Sequence, residues 1–507
     1  MTTPIKNDRR TIFGWAMYDW ANSAYSTVIA GAILPAFFVG EVVGEGGWNG
    51  RTGDSLWALG LALGTLLLFV AMPVLGAVAD YSAAKKRFLR AFAYGGSLFV
   101  TLLVFAGSGN VLLTLGFFLL AQVGFVGANV FYDGFLPDIT TPDTIDKVSS
   151  RGFALGYIGG GLWLAVVLAG IFSAGDDADL AVLITRIGIG ATGIWWAGFT
   201  AFAMSRLPET GVSSNLPAVV AFPRNWYRGV WTLVAVIVVG VASLVVGLIT
   251  SVPFGWFNLG LALWMLALAV LVYRVASSEA GADTVPLRSR FGRMAGIGFG
   301  RMFRTAAQLR HFPQLLLFIL AYMFYNDGVQ TTINISSAYA SGTLGLGVTD
   351  IALTFLVVQF VAFAGALSFG WLSGRVGIRR SIQLNLVIWV GIAVAAFFLP
   401  EGQFPPFLAT GVAIGLVLGG IQALSRSLYG SMIPESASAE FYGFYSVFSK
   451  FSAIWGPLLF AIISTQGNSR YGILSVVLFF VLGLVLFSRV DIDRARASKD
   501  DWQLTEA

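Results

Sequence analysis

The 507-residue chain contains no cysteine and one histidine, His311. Lack of cysteine excludes disulfides, thiolate metal sites and iron–sulfur ligation. One histidine builds neither a haem-ligand pair nor an H-E-x-x-H zinc site. No G-x-x-x-x-G-K-[ST] run occurs either, so ATP hydrolysis is not expected. The sequence therefore offers no catalytic residue, no cofactor site and no metal site. Charge is also scarce: 11% of residues are charged and 57% hydrophobic, whereas a soluble protein is about a quarter charged. A globule of this composition has too few charges to cover its exterior. A bilayer core about 30 Å thick takes about 20 apolar residues per helical span, so fourteen spans would use about 280. The apolar runs are continuous rather than alternating, which excludes a strand barrel. An all-α polytopic membrane protein follows. Its first apolar run carries Asp19, Asn22 and Ser23, unlike a cleavable signal.

Candidate spans are Phe13–Val39, Leu56–Ala79, Ala91–Gly107, Val111–Tyr132, Phe153–Ser173 and Arg186–Met204. Two more, Val230–Ile249 and Gly255–Tyr273, precede a polar stretch. The rest are Leu315–Ala338, Ile351–Leu372, Ile382–Leu399, Phe407–Arg426, Phe441–Ser464 and Tyr471–Phe487. With both termini on one side, only Arg51, Arg186 and Arg470 fall in the opposite connections. Lys85, Lys86, Arg87, Arg90, Arg375, Arg379 and Arg380 gather on the terminal side, as do seven arginines between Arg274 and Arg310. Basic residues mark the cytoplasmic face, so both termini are expected there, in the cell (plasma or inner) membrane. The net charge of +5 is then topological, and no nucleic-acid partner is expected.

Within the polar stretch, Arg290, Arg293, Arg301 and Arg304 fall in one arc of about 80° at helical spacing. Phe291, Phe299, Met302, Phe303 and Leu309 lie mostly opposite. This suits a helix lying in the inner interface against anionic headgroups. Gly292, Gly296, Gly298 and Gly300 weaken a helix, and a flexible basic linker remains the alternative.

The sequence is internally duplicated. Gly76-Ala-Val-Ala-Asp80-Tyr-Ser-Ala-Ala-Lys85-Lys-Arg87 aligns with Gly370-Trp-Leu-Ser-Gly374-Arg375-Val-Gly377-Ile-Arg379-Arg380 at an offset of 294. Pro137-Asp138 matches Pro434-Glu435 at 297, and Gly152-Phe153 matches Gly443-Phe444 at 291. Tyr18-Asp19 and Asn326-Asp327 stand about 308 apart. Nearly constant offsets mean two homologous six-span halves with a two-helix hairpin inserted between them. Parallel repeats of this kind are a transporter architecture. Expected divisions are a first half at 1–206, the hairpin with flanking loops at 207–285, the basic linker at 286–313, a second half at 314–489 and a polar tail at 490–507.

Both glycine-and-basic turns resemble the signature of the major facilitator superfamily. The second lacks the usual acid, having Gly374, and the first keeps Asp80 but spreads the turn. Gly152-x-x-x-Gly156-Tyr-Ile-Gly159-Gly160 resembles that superfamily's antiporter motif with Tyr157 in place of proline, although close helix packing alone also demands such glycines. Tyr18-Asp-Trp-Ala-Asn-Ser-Ala-Tyr25, Phe324-Tyr-Asn-Asp-Gly-Val-Gln-Thr331, Gly419-Gly-Ile-Gln-Ala-Leu-Ser-Arg-Ser427 and Glu440-Phe-Tyr-Gly-Phe-Tyr445 are more specific. They resemble the vacuole-effluxer-like family of facilitators. The resemblance implies the facilitator fold, and amino acids exported by fungal members as the guide to cargo.

Charged and amide groups within spans are expensive and should face a cavity or each other. Asp19, Asn22 and Tyr25 on the first span, Asn129 on the fourth, and Asn326, Asp327 and Gln330 on the ninth are the pathway candidates. Gln422 and Arg426 on the twelfth, with Tyr445 and Lys450 on the thirteenth, complete the set. In the twelve-helix facilitator plan these are helices 1, 4, 7, 10 and 11. Asp133 and Arg426 lie at matching depth and are assigned to an inner gate. Asp327 and Lys450 are expected to neutralise each other, leaving Asp19 without a basic partner and hence the proton-coupling candidate. Sodium or a substrate ammonium is the alternative partner of Asp19. The expected function is secondary active transport of an amino acid or similar amphipathic metabolite, outward from the cell, by alternating access. A lipid or amphiphile exporter of the same fold, or a non-transporting membrane sensor, are the competing readings. Expected partners are a small-molecule substrate, membrane lipids, and protons or sodium, for a chain that works as a monomer.

Overall fold

The computed structural model describes residues 5–44, 46–49, 53, 56–57, 74–79, 81, 84–209, 217–249, 270, 274, 281–309, 312–346, 348–451, 456, 459 and 469–499. The first helix, α1 (Arg9–Ala24), is capped by Asp8, whose carboxylate accepts the Thr11 N–H at 2.9 Å and the Thr11 hydroxyl at 2.7 Å. These bonds hold the half-buried Asp8 carboxyl below its ordinary pKa. The rod continues through wider π-helical turns, Tyr25–Ala32 and Phe38–Val43, around a short α segment, Ile33–Phe37. Arg9–Val43 is thus longer at both ends than the apolar run that marks it. Polar residues at a helix end leave the hydropathy pattern without breaking the hydrogen-bond ladder.

The remaining helices are α2 (Lys85–Leu102), α3 (Val111–Gly134), α4 (Ile145–Phe172), α5 (Ala178–Met204), α6 (Arg224–Ile249) and α7 (Arg290–Leu309). They are followed by α8 (Pro313–Gly342), α9 (Val348–Val376), α10 (Ile378–Phe397), α11 (Phe404–Met432), α12 (Ser438–Phe451), α13 (Ser469–Ser488) and α14 (Ile492–Ser498). Among the described residues, nine helices are long and apolar enough to cross a membrane. The 30-residue α8 is not among them, because Asn326, Asp327 and Gln330 sit in its middle. Most of the expected span Leu56–Ala79, all but one residue of Gly255–Tyr273, and most of Phe441–Ser464 beyond α12 lie outside the described residues.

One element departs from the all-α expectation. β1 (Val220–Pro223) pairs antiparallel with β2 (Thr284–Leu287), Val220 opposite Leu287. An exposed Arg224–Asp283 ion pair at 3.1 Å stands beside the ribbon. Four residues of alternation, each strand bearing a proline, give a weak signal, and proline is tolerated because both strands are edges.

The buried apolar side chains form two main clusters. One runs from Trp15 to Phe303 and adds Ala439; the other runs from Leu309 to Ala495. Helix α7 is a helix despite its glycines, but its apolar face meets protein. Phe303 lies 5.5 Å from the Trp226 ring, and Gly298 sits against Val74 and Val78. On its basic face Arg301 approaches the buried Glu440 at 3.7 Å, and burial, with Arg301 beside it, lowers the Arg304 pKa. The glycines thin the helix where it crosses a neighbour, so the amphipathic pattern records a protein contact as well as a basic surface.

Candidate functional site

The centre of the molecule is built on Arg426 of α11, which is 4% exposed. Its Nη1 lies 3.2 Å from Asp133 Oδ1 and 3.4 Å from Asp19 Oδ2. Its Nε donates to Ser149 Oγ at 3.0 Å and its Nη2 to the Ser149 carbonyl at 2.9 Å. The Ser149 hydroxyl in turn donates to the Ala423 carbonyl at 2.8 Å. Aromatic rings close the remaining sides, with the guanidinium carbon 3.9 Å from the Phe153 centroid, 4.9 Å from Trp15 and 5.5 Å from Tyr132. A buried guanidinium stays tolerable only when its charge and its donors are matched, and here carboxylates, a serine and π faces divide that work.

The pairing of Asp133 with Arg426 agrees with their depth in sequence. The expectation that Asp19 lacks a basic partner does not hold, because the same guanidinium reaches it. Gly152 explains how. A Cβ there would stand 2.7 Å from Trp15 and 3.0 Å from Arg426 Nη2, so the bare backbone lets α1, α4 and α11 converge. Gly156, one turn on, does the same beside Ser23. Charge matching by depth within one pair of helices missed this three-helix crossing. Trp15, one turn before Asp19, and Ser149, one turn before Phe153, were the available signals.

Other polar groups pair within or across the halves. Asn22 donates to Asn129 Oδ1 at 2.5 Å, and the Tyr25 hydroxyl to Gln122 Oε1 at 2.8 Å. The Tyr157 hydroxyl donates to Gln422 Oε1 at 2.5 Å, joining α4 to α11. In the second half, Asp327 Oδ1 accepts the Gly456 N–H at 2.9 Å and faces the Thr331 hydroxyl at 3.4 Å. Asn326 donates to the Ser449 carbonyl at 3.2 Å. Tyr445 stacks between Tyr322 at 4.5 Å and Tyr429 at 4.7 Å. Gln330 is half-buried with no hydrogen-bond partner among the described residues. The Lys450 side chain lies outside the described residues, as does Asp80.

Three comparisons bear on this arrangement. The family model described as "Vacuole effluxer Atg22 like" matches residues 40–500. An uncharacterized MFS-type transporter of Bacillus subtilis, YxiO, is 30% identical over 94% of each chain. Autophagy-related protein 22 of Coccidioides immitis is 23% identical, over 98% of this chain and 89% of that protein. The chain belongs to the Atg22-like family of major facilitator transporters. It is a multi-pass membrane transporter and not an enzyme. Solved facilitators share its fold at 12% identity. The proton:xylose symporter XylE covers 95% of this chain and 94% of its own, with a TM-score of 0.59. A bacterial homologue of the iron transporter ferroportin in an outward-facing state covers 96% and 99%, with a TM-score of 0.57.

In this Atg22-like chain the basic residues of the two facilitator turns make different contacts. Lys85 is buried, with Nζ 2.8 Å from Asp138 Oδ2 and 2.6 Å from Ser438 Oγ, which itself donates to the Gly134 carbonyl at 2.9 Å. Gly76 meets the backbone of Ala439 so closely that a Cβ would collide with it. The first turn therefore grips the start of α12. The neighbouring Glu209 carboxylate accepts the Lys86 N–H at 3.0 Å, and burial pushes its pKa up against the pull of Arg87, Lys86 and Arg90. In the second turn Gly377 adopts φ +85°, a left-handed value that glycine meets without strain, and it ends α9. Arg379 donates to the Ser488 carbonyl at 2.6 Å, and Arg375 lies 3.8 Å over the Trp371 ring. Both contacts stay within the second half. Arg87 closes the first turn, and Gly370, which opens the second, lies against Ser150 of α4, so the second turn also meets the opposite half.

Proposed function

We propose that this transporter moves a small zwitterionic or amphipathic solute, an amino acid by preference, outward across the plasma membrane by alternating access. Its halves, 1–206 and 314–489, rock about a midline pathway whose charged members are Asp19, Asp327, Arg426 and Lys450, with both termini cytoplasmic. The observation that carries the reading is one buried guanidinium of the second half held by two carboxylates of the first, at 3.2 and 3.4 Å. Such a cluster makes and breaks as the halves part, and it offers a zwitterion one handle of each sign. In the present arrangement it closes the seam near the Asp133 end of α3, together with the Lys85–Ser438 contact. That suits an inner gate formed by Asp133 and Arg426, with the molecule closed to the cytoplasm.

Coupling follows from charge balance. Two acids share one base, so one negative charge is in excess, and an uncompensated charge at depth is costly. A proton, sodium or the substrate's own ammonium completes the set, and Asp19, the more deeply buried of the two acids, is the group to receive it. The proposed arrangement keeps fourteen spans, a hairpin at 207–285 and a linker at 286–313. The β1–β2 ribbon supports an insert whose ends lie together.

Uptake of labelled amino acids into proteoliposomes, with and without a pH gradient, tests the proposal. Gradient-driven accumulation by the parent protein, lost in Asp19→Asn, is the expected result. Gradient-driven transport that survives Asp19→Asn removes the coupling role. An amino acid panel that is never moved removes the cargo.

A further inference from the structure

A cavity of about 720 Å³ opens on the flank of the molecule where the starts of α1 and α4 meet α9. Its rim carries Arg9, Lys147 and Arg151, all exposed. Lys147 and Arg151 are four residues apart and share one face of α4, while Arg9 opens α1. Among the described residues none of the three has a carboxylate or a hydrogen-bond partner within reach. The nearest acids in sequence face elsewhere: Asp8 caps α1 through Thr11, Asp143 turns to Thr141, and Asp146 turns to Ser427, Ser373 and Arg496. Below the rim the wall turns apolar, with Ile12, Phe13, Leu155, Phe363 and Leu367. Phe13 is 49% and Leu367 39% exposed, so large apolar surface faces outward beneath a ring of unpaired cations.

The electrostatics are one-sided. Arg9 and Lys147 occupy the first turns of α1 and α4, where the helix dipole disfavours a cation. Three like charges therefore gather at two helix starts, while the acids there, Asp8 and Asp146, are turned to other partners. From Arg9 to Ala16, at the inner end of the groove, α1 rises about 10 Å at 1.5 Å per residue. That span matches the passage from headgroup to upper acyl chain for a helix entering the bilayer. We infer that this groove binds an anionic phospholipid, its phosphate held by Arg9, Lys147 and Arg151 and an acyl chain laid along Phe13, Leu155, Phe363 and Leu367. A water-soluble anion would use the rim and leave the apolar wall exposed; a zwitterionic lipid would bring a cation to a rim that already has three.

The groove spans the seam. α1 and α4 belong to the first half and α9 to the second, so the lipid touches both and its occupancy favours the arrangement in which this end is closed. The inference does not depend on the cargo or on proton coupling.

The full chain, purified in detergent and stripped of lipid, is titrated with phosphatidylglycerol, phosphatidylcholine or inorganic phosphate. Native mass spectrometry reads bound lipid and thermal unfolding reads stabilisation. The expected result is a retained phosphatidylglycerol adduct with a raised Tm, absent with the other two. Binding should fall at least tenfold in R9Q/K147Q/R151Q and persist in R489Q/R494Q/K499Q, which removes equal charge from the C-terminal region. Leu367→Trp, which narrows the groove with every cation in place, should also weaken it and carries the test if the triple variant does not fold. Equal stabilisation by phosphatidylcholine or phosphate, equal loss in both triple variants, or full binding by Leu367→Trp would overturn the assignment.

Discussion

The two halves place a buried acid in very different company. In the first half Asp19 and Asp133 face a guanidinium that comes from the second half, across the seam. In the second half Asp327 accepts a backbone N–H from Gly456 and lies beside Thr331, both of its own half. The first acid site can be satisfied only while the halves are together. The contacts of the second with Gly456 and Thr331 persist whatever the halves do. Positions 308 residues apart have thus been divided between a contact that changes with conformation and one made within a half.

The largest expected effect comes from removing the shared cation. Arg426→Ala leaves two buried carboxylates without their partner, a loss of about 3–5 kcal/mol, and should abolish transport with a marked fall in Tm. Because the chain has no native cysteine, labels at D143C and R380C report the seam directly, and their separation should widen in this variant. An unchanged label distance would mean that the cluster is not what joins the halves. The double exchange Asp133→Arg with Arg426→Asp sharpens the point, since failure to restore any transport counts against a gate made by this pair.

Lys85→Met comes next. It strands the Asp138 carboxylate and removes the bond to Ser438, and the same label pair should widen, with a stability loss at the lower end of about 3–5 kcal/mol. By contrast, Asp327→Ala leaves the Gly456 N–H unpaired and should cost about 1–3 kcal/mol while the label distance stays put. If it moved the labels as far as Arg426→Ala does, the proposed division of labour would fail. The smallest change is Tyr157→Phe. Loss of its bond to Gln422 costs about 1 kcal/mol and is best seen as a modest shift in label populations with transport retained.

Much of this molecule is legible one helix at a time. Polar residues recurring on one face picked out Asp19, Asn22, Asn129, Asp327 and Arg426, because a bilayer penalises any charge that is not turned inward. Glycines at 152 and 156 announced a close helix crossing without naming the helix that crosses. What stayed hidden involves more than two elements. Asp19 joins Arg426 because α1, α4 and α11 meet at a glycine; Ser149 enters the cluster through its carbonyl as well as its hydroxyl, and a carbonyl has no signature in sequence. The β1–β2 ribbon pairs strands more than sixty positions apart, too short for periodicity to reveal. Lys85 likewise reads as a topological charge and is found buried between the halves.

The amino-acid sequence by itself determined that the chain crosses a membrane many times, that its turns recur at nearly constant offsets, and which residues are too polar to face lipid. Each of these follows from composition and spacing, which act locally along the chain. Tertiary structure alone decided which acid meets which base, which residues of each turn meet the opposite half, and where unpaired cations gather above an apolar groove. Those outcomes depend on distances of a few ångströms between helices remote in sequence, and such distances are set by packing.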